Sequence, residues 1–524
     1  MCGFAAFFNE NLSPDGRAGR SLAEAGAALA HRGPDDAGQI SGGGWGMAFR
    51  RLAILDLSPK GAQPMQFAKG RFTLCFNGEI YNYLELRDAF GLSELRSTGD
   101  AEVLGELLAR EGERILPRLR GMFAFIWWDE REGELLAARD RFGMKPLYFQ
   151  DLGGSGLTAA SEIKALKKLC DVGELSRRAV RQFFRWACVQ DPDCIASKVE
   201  SLEPGQYFRW SARRGMLGKS RFAAAAWDGE TGSWDRPKSS QIEEVRERVI
   251  ESVKTHLISD VPVGIFLSGG LDSSIIGAVM RHLGAGRIRA YSVRFGGGSR
   301  LVDESSIARR SAEFFGAEFY DEEVTPESLL DDFPHFVESL DQPSGEALNV
   351  YLVAKAAARD LRVVLSGTGA DEFFGGYRYL QMMALGFRLP FFRLMSPRVR
   401  AAARRLFESL PPTVQSSRLL RAVLILLGPR SGGRIYQSAR TVSPVSVLDS
   451  LLDDDLKGCG GQSARGGRSS PQRGRGWRRL VANCAGFGVA LYLPNMLLRD
   501  SDAMSMAHSL ELRTRSLTGG SLRR

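Results

Sequence analysis

Residues 263–274 run from an apolar stretch (Val263 to Leu267) straight into a turn of small residues and then a helix start. A buried strand that hands its chain to a Gly/Ser loop at a helix N-terminus constrains the fold strongly. It fits an open α/β sheet, and it builds an anion site where the strand ends. Gly269 and Gly270 let the backbone approach a phosphate closely. Ser268, Ser273 and Ser274 add hydroxyl donors, and Asp272 is placed to hold a cation or orient a hydroxyl. The loop is not a Walker A motif, because no Gly-Lys-Ser/Thr sequence follows it. Further strands expected near 290–295 and 363–366 alternate with helical patterns, which argues for a parallel sheet with ligand-binding loops at its carboxyl edge. Residues 242, 245, 249 and 253 place apolar side chains on one face of a helix that begins near 241.

The other informative point is the beginning of the chain, Met1-Cys2-Gly3. A small residue at position 2 predicts removal of Met1, which leaves Cys2 with both a thiol and a free α-amine. That amine has a pKa near about 8 and can serve as the local base for the thiol. A Cys in this position is by itself a small apolar residue at a strand start, so the strings behind it decide.

Those strings run from His31 to Asp36, Arg51 to Asp56, Gly61 to Met65 and Phe76 to Tyr83, then from Ser97 to Glu102 and Arg139 to Tyr148. In this order behind Met-Cys-Gly they resemble the class II glutamine amidotransferase domain of asparagine synthetase. The 263–274 stretch is similar to the pyrophosphate loop of ATP pyrophosphatases, which split ATP between its α and β phosphates. Segments from Ala290 to Phe295, Leu340 to Pro343, Val363 to Tyr377, Leu493 to Asp502 and Leu510 to Arg513 resemble the later blocks of the same family, the glutamine-hydrolysing asparagine synthetases.

The resemblance implies a division of labour. Cys2 is the nucleophile, and Asn77 with Gly78 form the oxyanion hole. Glutamine is bound by Arg51, Leu52, Ala53, Ile54, Leu55, Asn77, Gly78, Glu79 and Asp100. Arg51 takes the carboxylate as a planar fork, and Asp100 takes the ammonium. ATP is bound by Leu267, Ser268, Gly269, Gly270, Asp272, Ser273, Ser274, Val293, Ser366 and Gly367. Asp272 and Asp371 are candidate Mg²⁺ ligands, since Mg²⁺ takes few carboxylates and keeps phosphate oxygens. Thr368 falls at the adenylate-intermediate position, where well-studied asparagine synthetases carry Glu. Thr cannot act as a carboxylate base near neutral pH, so the acceptor is either aspartate or another carboxylate.

The expected fold class is mixed α/β and α+β. An N-terminal-nucleophile αββα sandwich over 2–210 is followed by a linker over 211–240. A parallel-sheet ATP-pyrophosphatase (adenine nucleotide α-hydrolase-like) domain with a helical C-terminal part covers 241–514. Residues 201–207 look like a family hairpin, and Arg51 to Asp56 reads as a strand. Residues 458–487 and 515–524 depart from the family pattern. Their Gly-Cys-Gly-Gly and Arg-Gly runs are what GC-rich DNA gives out of frame, so an aberrant segment and tail are expected there.

Composition fits an enzyme without a membrane span: 44% hydrophobic, 25% charged, with no apolar run of about 18 residues and no signal peptide pattern. The seven Cys are scattered without a CxxC pair, which argues for a reducing compartment, the cytoplasm, and against zinc. Much of the net charge of +9 sits in the Arg/Gly stretch at 465–479, a solvated segment rather than a nucleic-acid surface. A homodimer is the candidate assembly. A truncated chain that keeps only glutaminase activity is a further alternative; a non-catalytic binding protein is the competing class, and the intact set Cys2, Arg51, Asn77 and Asp100 speaks against it.

Overall fold

The computed structural model describes residues 2–9, 17–223, 237–296, 305–377 and 484–514, with scattered positions between 380 and 452. The expectations for 458–483 and 515–524, the Arg/Gly stretch included, lie outside the described residues.

The N-terminal half is built on β1 (Cys2–Phe8), β2 (Asp36–Gly42), β3 (Trp45–Arg51), β4 (Met65–Phe67), β5 (Phe72–Ile80) and β6 (Gly121–Asp129). It continues with β7 (Glu134–Arg139), β8 (Tyr148–Asp151), β9 (Leu157–Ala160), β10 (Glu200–Ser201), β11 (Gln206–Ser211) and β12 (Gly215–Arg221). These form two six-stranded sheets, ordered β10-β8-β9-β1-β3-β2 and β12-β11-β7-β6-β5-β4. Between the sheets lies a core of Phe4, Phe8, Trp45, Phe49, Ile126, Trp128, Phe208 and Trp210. Helices α1 (Arg17–Ala28) and α4 (Ile163–Leu169) cover the outside of the first sheet, and α2 (Tyr83–Ala89) and α3 (Asp100–Glu111) that of the second. This is the αββα sandwich. It explains why all of β1 and nearly all of β6 are buried: both strand faces are covered, so neither alternates with polar residues.

The C-terminal half carries β13 (Val263–Phe266), β14 (Arg289–Phe295), β15 (Glu318–Val324), β16 (Val363–Ser366) and β17 (Glu511–Thr514) in the all-parallel order β15-β14-β13-β16-β17. The order reverses between β13 and β16. Such a switch point leaves a crevice at the strands' carboxyl ends. Helix α5 (Arg177–Trp186) precedes β10 in the first half, and α6 (Lys238–His256) leads into β13. Around the sheet run α7 (Leu271–His282), α8 (Ser305–Phe315), α9 (Pro326–Ser339), α10 (Leu348–Ala357), α11 (Ala370–Phe374) and α12 (Arg499–Met506), the last preceded by a π-helical stretch Gly488–Leu498. No helix among the described residues is long and apolar enough to cross a membrane.

The structure corrects the sequence reading at several boundaries. The expected linker does not begin at 211, because β12 pairs with β11 through Arg221 and belongs to the second sheet. Residues 201–207 are not a hairpin: β10 pairs with β8 and β11 with β7, so this segment carries the chain from one sheet to the other. The strand expected through Asp56 ends at Arg51. There the Arg51 guanidinium bonds the carbonyls of Asp56 and Ser58 and folds the following residues back on themselves. Helix α6 starts at Lys238, and its early apolar residues Ile242 and Val245 are exposed while Val253 is buried.

The halves are fused rather than tethered. One apolar cluster includes Leu52, Ile54, Tyr81 and Met144 from the first half and Val363, Leu493, Leu510 and Leu512 from the second. Buried ion pairs cross the same boundary. Asp502 bonds Arg32 at 2.7 Å and Lys145 at 3.0 Å.

Candidate active site

The first candidate site opens where the start of β1 and the end of β3, in one sheet, face the end of β5 in the other. Cys2 begins β1 and lies opposite Arg51 in the β1–β3 ladder. A pocket of about 430 Å³ is lined by Cys2, Arg51, Leu52, Ile54, Leu55, Gly78, Glu79 and Asp100, together with Gln63, Ser97 and Gly99. Thus most of the residues expected to bind glutamine converge on one cavity. Ala53 is not among those lining it; its N–H is taken by Asp35 at 2.9 Å. Asn77 lies behind Cys2, fully buried.

Asn77 is oriented by its neighbours. Its Oδ1 accepts the Cys2 backbone N–H at 3.1 Å. Gln63 clamps the preceding residue from both sides, accepting from Phe76 N at 2.7 Å and donating to Phe76 O at 3.3 Å. Asn77 Nδ2 has no hydrogen-bond partner among the described residues. A buried amide donor left open beside a thiol costs free energy unless something occupies it, and that is what an oxyanion donor requires. Gly78 must be Gly: its φ is +152°, and a Cβ there would fall 2.1 Å from the Met122 carbonyl oxygen of β6.

The electrostatics suit an amino acid zwitterion. Asp100 opens α3 and accepts the Ile80 N–H at 2.7 Å. Burial pushes its carboxyl up to about 6, against that hydrogen bond. Burial, then the charge of Asp100, raise Glu79 well above the usual carboxylate range, with Arg513 opposing. A ligand ammonium would return both to their charged forms. Arg51 supplies the positive wall, with Nη1 donating to Ser58 O at 2.9 Å. The Cys2 thiol is raised by burial, with the nearby chain terminus opposing, so as a nucleophile it would need a base beside it.

The second candidate site is the crevice at the switch point. The loop after β13 folds on itself: Gly270 N donates to Ser268 Oγ at 3.3 Å, and Ser273 Oγ to Gly270 O at 3.2 Å. Gly269 adopts φ +75°. The loop after β16 packs directly against it, since a Cβ on Gly367 would lie 3.1 Å from the Ser273 amide nitrogen. Leu267, Ser268, Gly269, Gly270, Asp272, Ser273, Ser366 and Gly367 therefore gather at one place. Ser274 turns its hydroxyl to Ser311 of α8, at 3.2 Å. Val293 sits one strand over in β14, partly buried against the cluster that holds Val324 and Tyr351. Thr368 Oγ1 and Ser366 Oγ are 2.8 Å apart. Asp371 opens the short helix α11, next to Glu372, whose Oε1 accepts the Tyr377 hydroxyl and whose Oε2 has no partner among the described residues. Among the described residues no cluster of three or more His, Cys, Asp or Glu side chains that could hold a metal occurs.

A further cavity of about 410 Å³ lies between the halves, bordered by Arg32, Met144, Glu162, Asp341, Arg499 and Asp502. Gln63, Arg32, Lys145 and Asp502 fall inside the resembling segments, which give them no role of their own. Asp56, expected only as the last residue of a strand, instead has φ +52° and a side chain bonding Ser58 and Thr98.

Comparison with known proteins agrees with this layout. A family model described as a glutamine amidotransferase domain matches residues 1–222, and one described as asparagine synthase matches residues 244–515. Asparagine synthetase [glutamine-hydrolyzing] 1 of Bacillus subtilis is 34% identical over 402 residues, 76% of this chain and 62% of its own length. A Mycobacterium tuberculosis protein provisionally named asparagine synthetase [glutamine-hydrolyzing] is 34% identical over 98% of this chain and 79% of its own. Amidase chry2 of Gibberella zeae is 33% identical over 72% of this chain and 59% of its own length. The chain thus spans less than two thirds of the Bacillus and Gibberella proteins. Matched across both halves, the chain belongs to the asparagine synthase family.

Proposed function

We propose that this protein is a glutamine-dependent asparagine synthetase with separate glutaminase and synthetase sites. The observation that carries the reading is the pairing of Cys2 with an open Asn77 donor in a pocket whose other walls are Arg51 and Asp100. Removal of Met1 turns the Cys2 nitrogen into an amine beside its own thiol. The amine takes the thiol proton, and the thiolate attacks the glutamine amide carbon. Asn77 Nδ2 and the Gly78 N–H receive the oxyanion. The amine passes that proton to the amide nitrogen, and collapse expels ammonia and leaves a thioester, which water cleaves to glutamate.

In the synthetase half, the Ser/Gly loop at the start of α7 and the Gly367 loop hold the triphosphate of the substrate ATP. Asp272 and Asp371 would hold Mg²⁺, which supplies positive charge to the phosphates. The acceptor carboxylate attacks the α-phosphorus and releases pyrophosphate. Ammonia from the first site, carried through the cavity between the halves, displaces AMP and gives the amide. With aspartate as acceptor the product is asparagine.

A second reading keeps this chemistry with a different carboxylate as acceptor. The Thr368–Ser366 hydroxyl pair favours it, because the family's well-studied members place Glu there. The test is pyrophosphate release with ATP, Mg²⁺ and glutamine, with glutamate assayed in parallel. Pyrophosphate that requires aspartate, with asparagine formed, supports the first reading. Glutamate release without aspartate-dependent pyrophosphate refutes aspartate as the acceptor.

A further inference from the structure

One wall of the proposed glutamine pocket is held from the opposite half of the molecule. Arg513 lies in β17, opposite Leu365 of β16, and its side chain is fully buried. Its Nη1 donates to the carbonyls of His256 and Ile258, both at 2.7 Å, at the C-terminal end of α6 where a cation is favoured. Its Nε bonds Glu511. The remaining Nη2 makes no hydrogen bond among the described residues and lies 3.6 Å from Glu79 Oε1.

The same guanidinium reaches the pocket by a second route. It fixes the carbonyls on either side of the turn that leaves α6. Two residues on, Asp260 N donates to Ile54 O at 3.0 Å, and Asp260 Oδ2 accepts the Asp56 N–H at 2.8 Å. Asp56 O in turn binds Arg51. Arg513 therefore braces both the acidic wall, Glu79, and the loop that aims Arg51. On its other side the next residue, Thr514, pairs with Ser366, beside the Gly367–Thr368 turn.

We propose that Arg513, although carried by the synthetase sheet, is a positioning residue of the glutamine site: it holds Glu79 and the Ile54–Asp56 loop where the amino acid's charged ends are gripped. The inference rests on the glutaminase reading above. The physical reason is charge. Glu79, Asp100 and Glu511 are all buried here, and buried carboxylates without a cation take up protons instead of staying ionised. A neutral, loosened wall binds an ammonium poorly, while the thiol and its oxyanion donor remain in place.

The test compares Arg513→Gln and Arg513→Lys with wild type in the full chain, measuring glutamine hydrolysis and ammonia-dependent pyrophosphate release. Arg513→Gln is expected to raise KM for glutamine about tenfold or more, with kcat within about threefold. Ammonia-dependent release, which bypasses the pocket, stays within about twofold of wild type, and Arg513→Lys recovers part of the KM. If the single variant does not fold, Arg513→Gln with Glu511→Gln removes both partners of the buried pair together and is expected to show the same rise in KM. An unchanged KM in either variant overturns the proposal. So does a parallel fall of the glutamine- and ammonia-dependent reactions, which would mark a purely structural brace. Wild-type protein that hydrolyses no glutamine overturns the glutaminase reading, and this proposal with it, before any variant is compared.

Discussion

Replacing Asp502 by Asn probes the joint between the two halves. The Asp502 carboxylate is about as buried as a charge can be, with 2% of its side chain exposed, and it bonds two cations of the other half that are fully buried. Arg32 keeps a second partner, Glu162, at 2.9 Å. Lys145 Nζ, at 3.0 Å from Asp502, has that carboxylate as its ion-pair partner. An amide of the same shape can accept from one cation but presents N–H to the other, so Asp502→Asn strands a buried ammonium. Removing one partner of a buried ion pair costs about 3–5 kcal/mol, and the retained Arg32–Glu162 bond puts this case near about 3 kcal/mol. Urea unfolding followed by tryptophan fluorescence gives the change from the shift in midpoint and the slope. Adding Lys145→Met to Asp502→Asn removes the stranded charge and is expected to recover about half of the loss. A cost below about 0.5 kcal/mol for Asp502→Asn would refute the reasoning, because it would mean that water already screens these charges.

The pocket makes two further predictions. Asn77→Ala removes the open amide donor and is expected to lower kcat for glutamine hydrolysis by about 10²–10³, measured as glutamate release, with ammonia-dependent pyrophosphate release retained. Asp100 is raised to about 6 by burial, so its charged form, to which the proposal gives the ammonium, is present above that pH and lost as pH falls through it. The profile of kcat/KM for glutamine should therefore drop on the acid side near pH 6, and Asp100→Glu or Asp100→Asn should displace or remove that limb. A flat profile from pH 7 down to 5 would contradict the role given to Asp100.

Much of this architecture is legible in the sequence because local rules write it there. Val263 to Ser274 shows its strand, Gly turn and helix start in twelve consecutive residues, and those elements occur as β13, loop and α7. Asn77-Gly78 in isolation suggests a turn, yet the pair lies inside β5, where Gly78 is needed for the approach of Met122 rather than for a bend. The strand expected beyond Arg51 fails for a reason no pattern of apolar residues contains: a side chain bonds carbonyls several residues ahead and curls the chain back. The joint between the halves is equally silent. Arg32 and Asp502 are 470 positions apart, and Glu79 meets Arg513 only because β17 is the edge of the parallel sheet. Each is, read locally, an ordinary charged residue on a turn, helix or strand.

The central claim is that nitrogen released at Cys2 is used at the crevice between β13 and β16. Cys2→Ala tests it most directly, with glutamate and pyrophosphate measured side by side, once with glutamine and once with ammonium as the nitrogen source. Loss of glutamate and of glutamine-dependent pyrophosphate, with ammonium-dependent pyrophosphate intact, is the predicted result. Glutamate release that survives the substitution would contradict it.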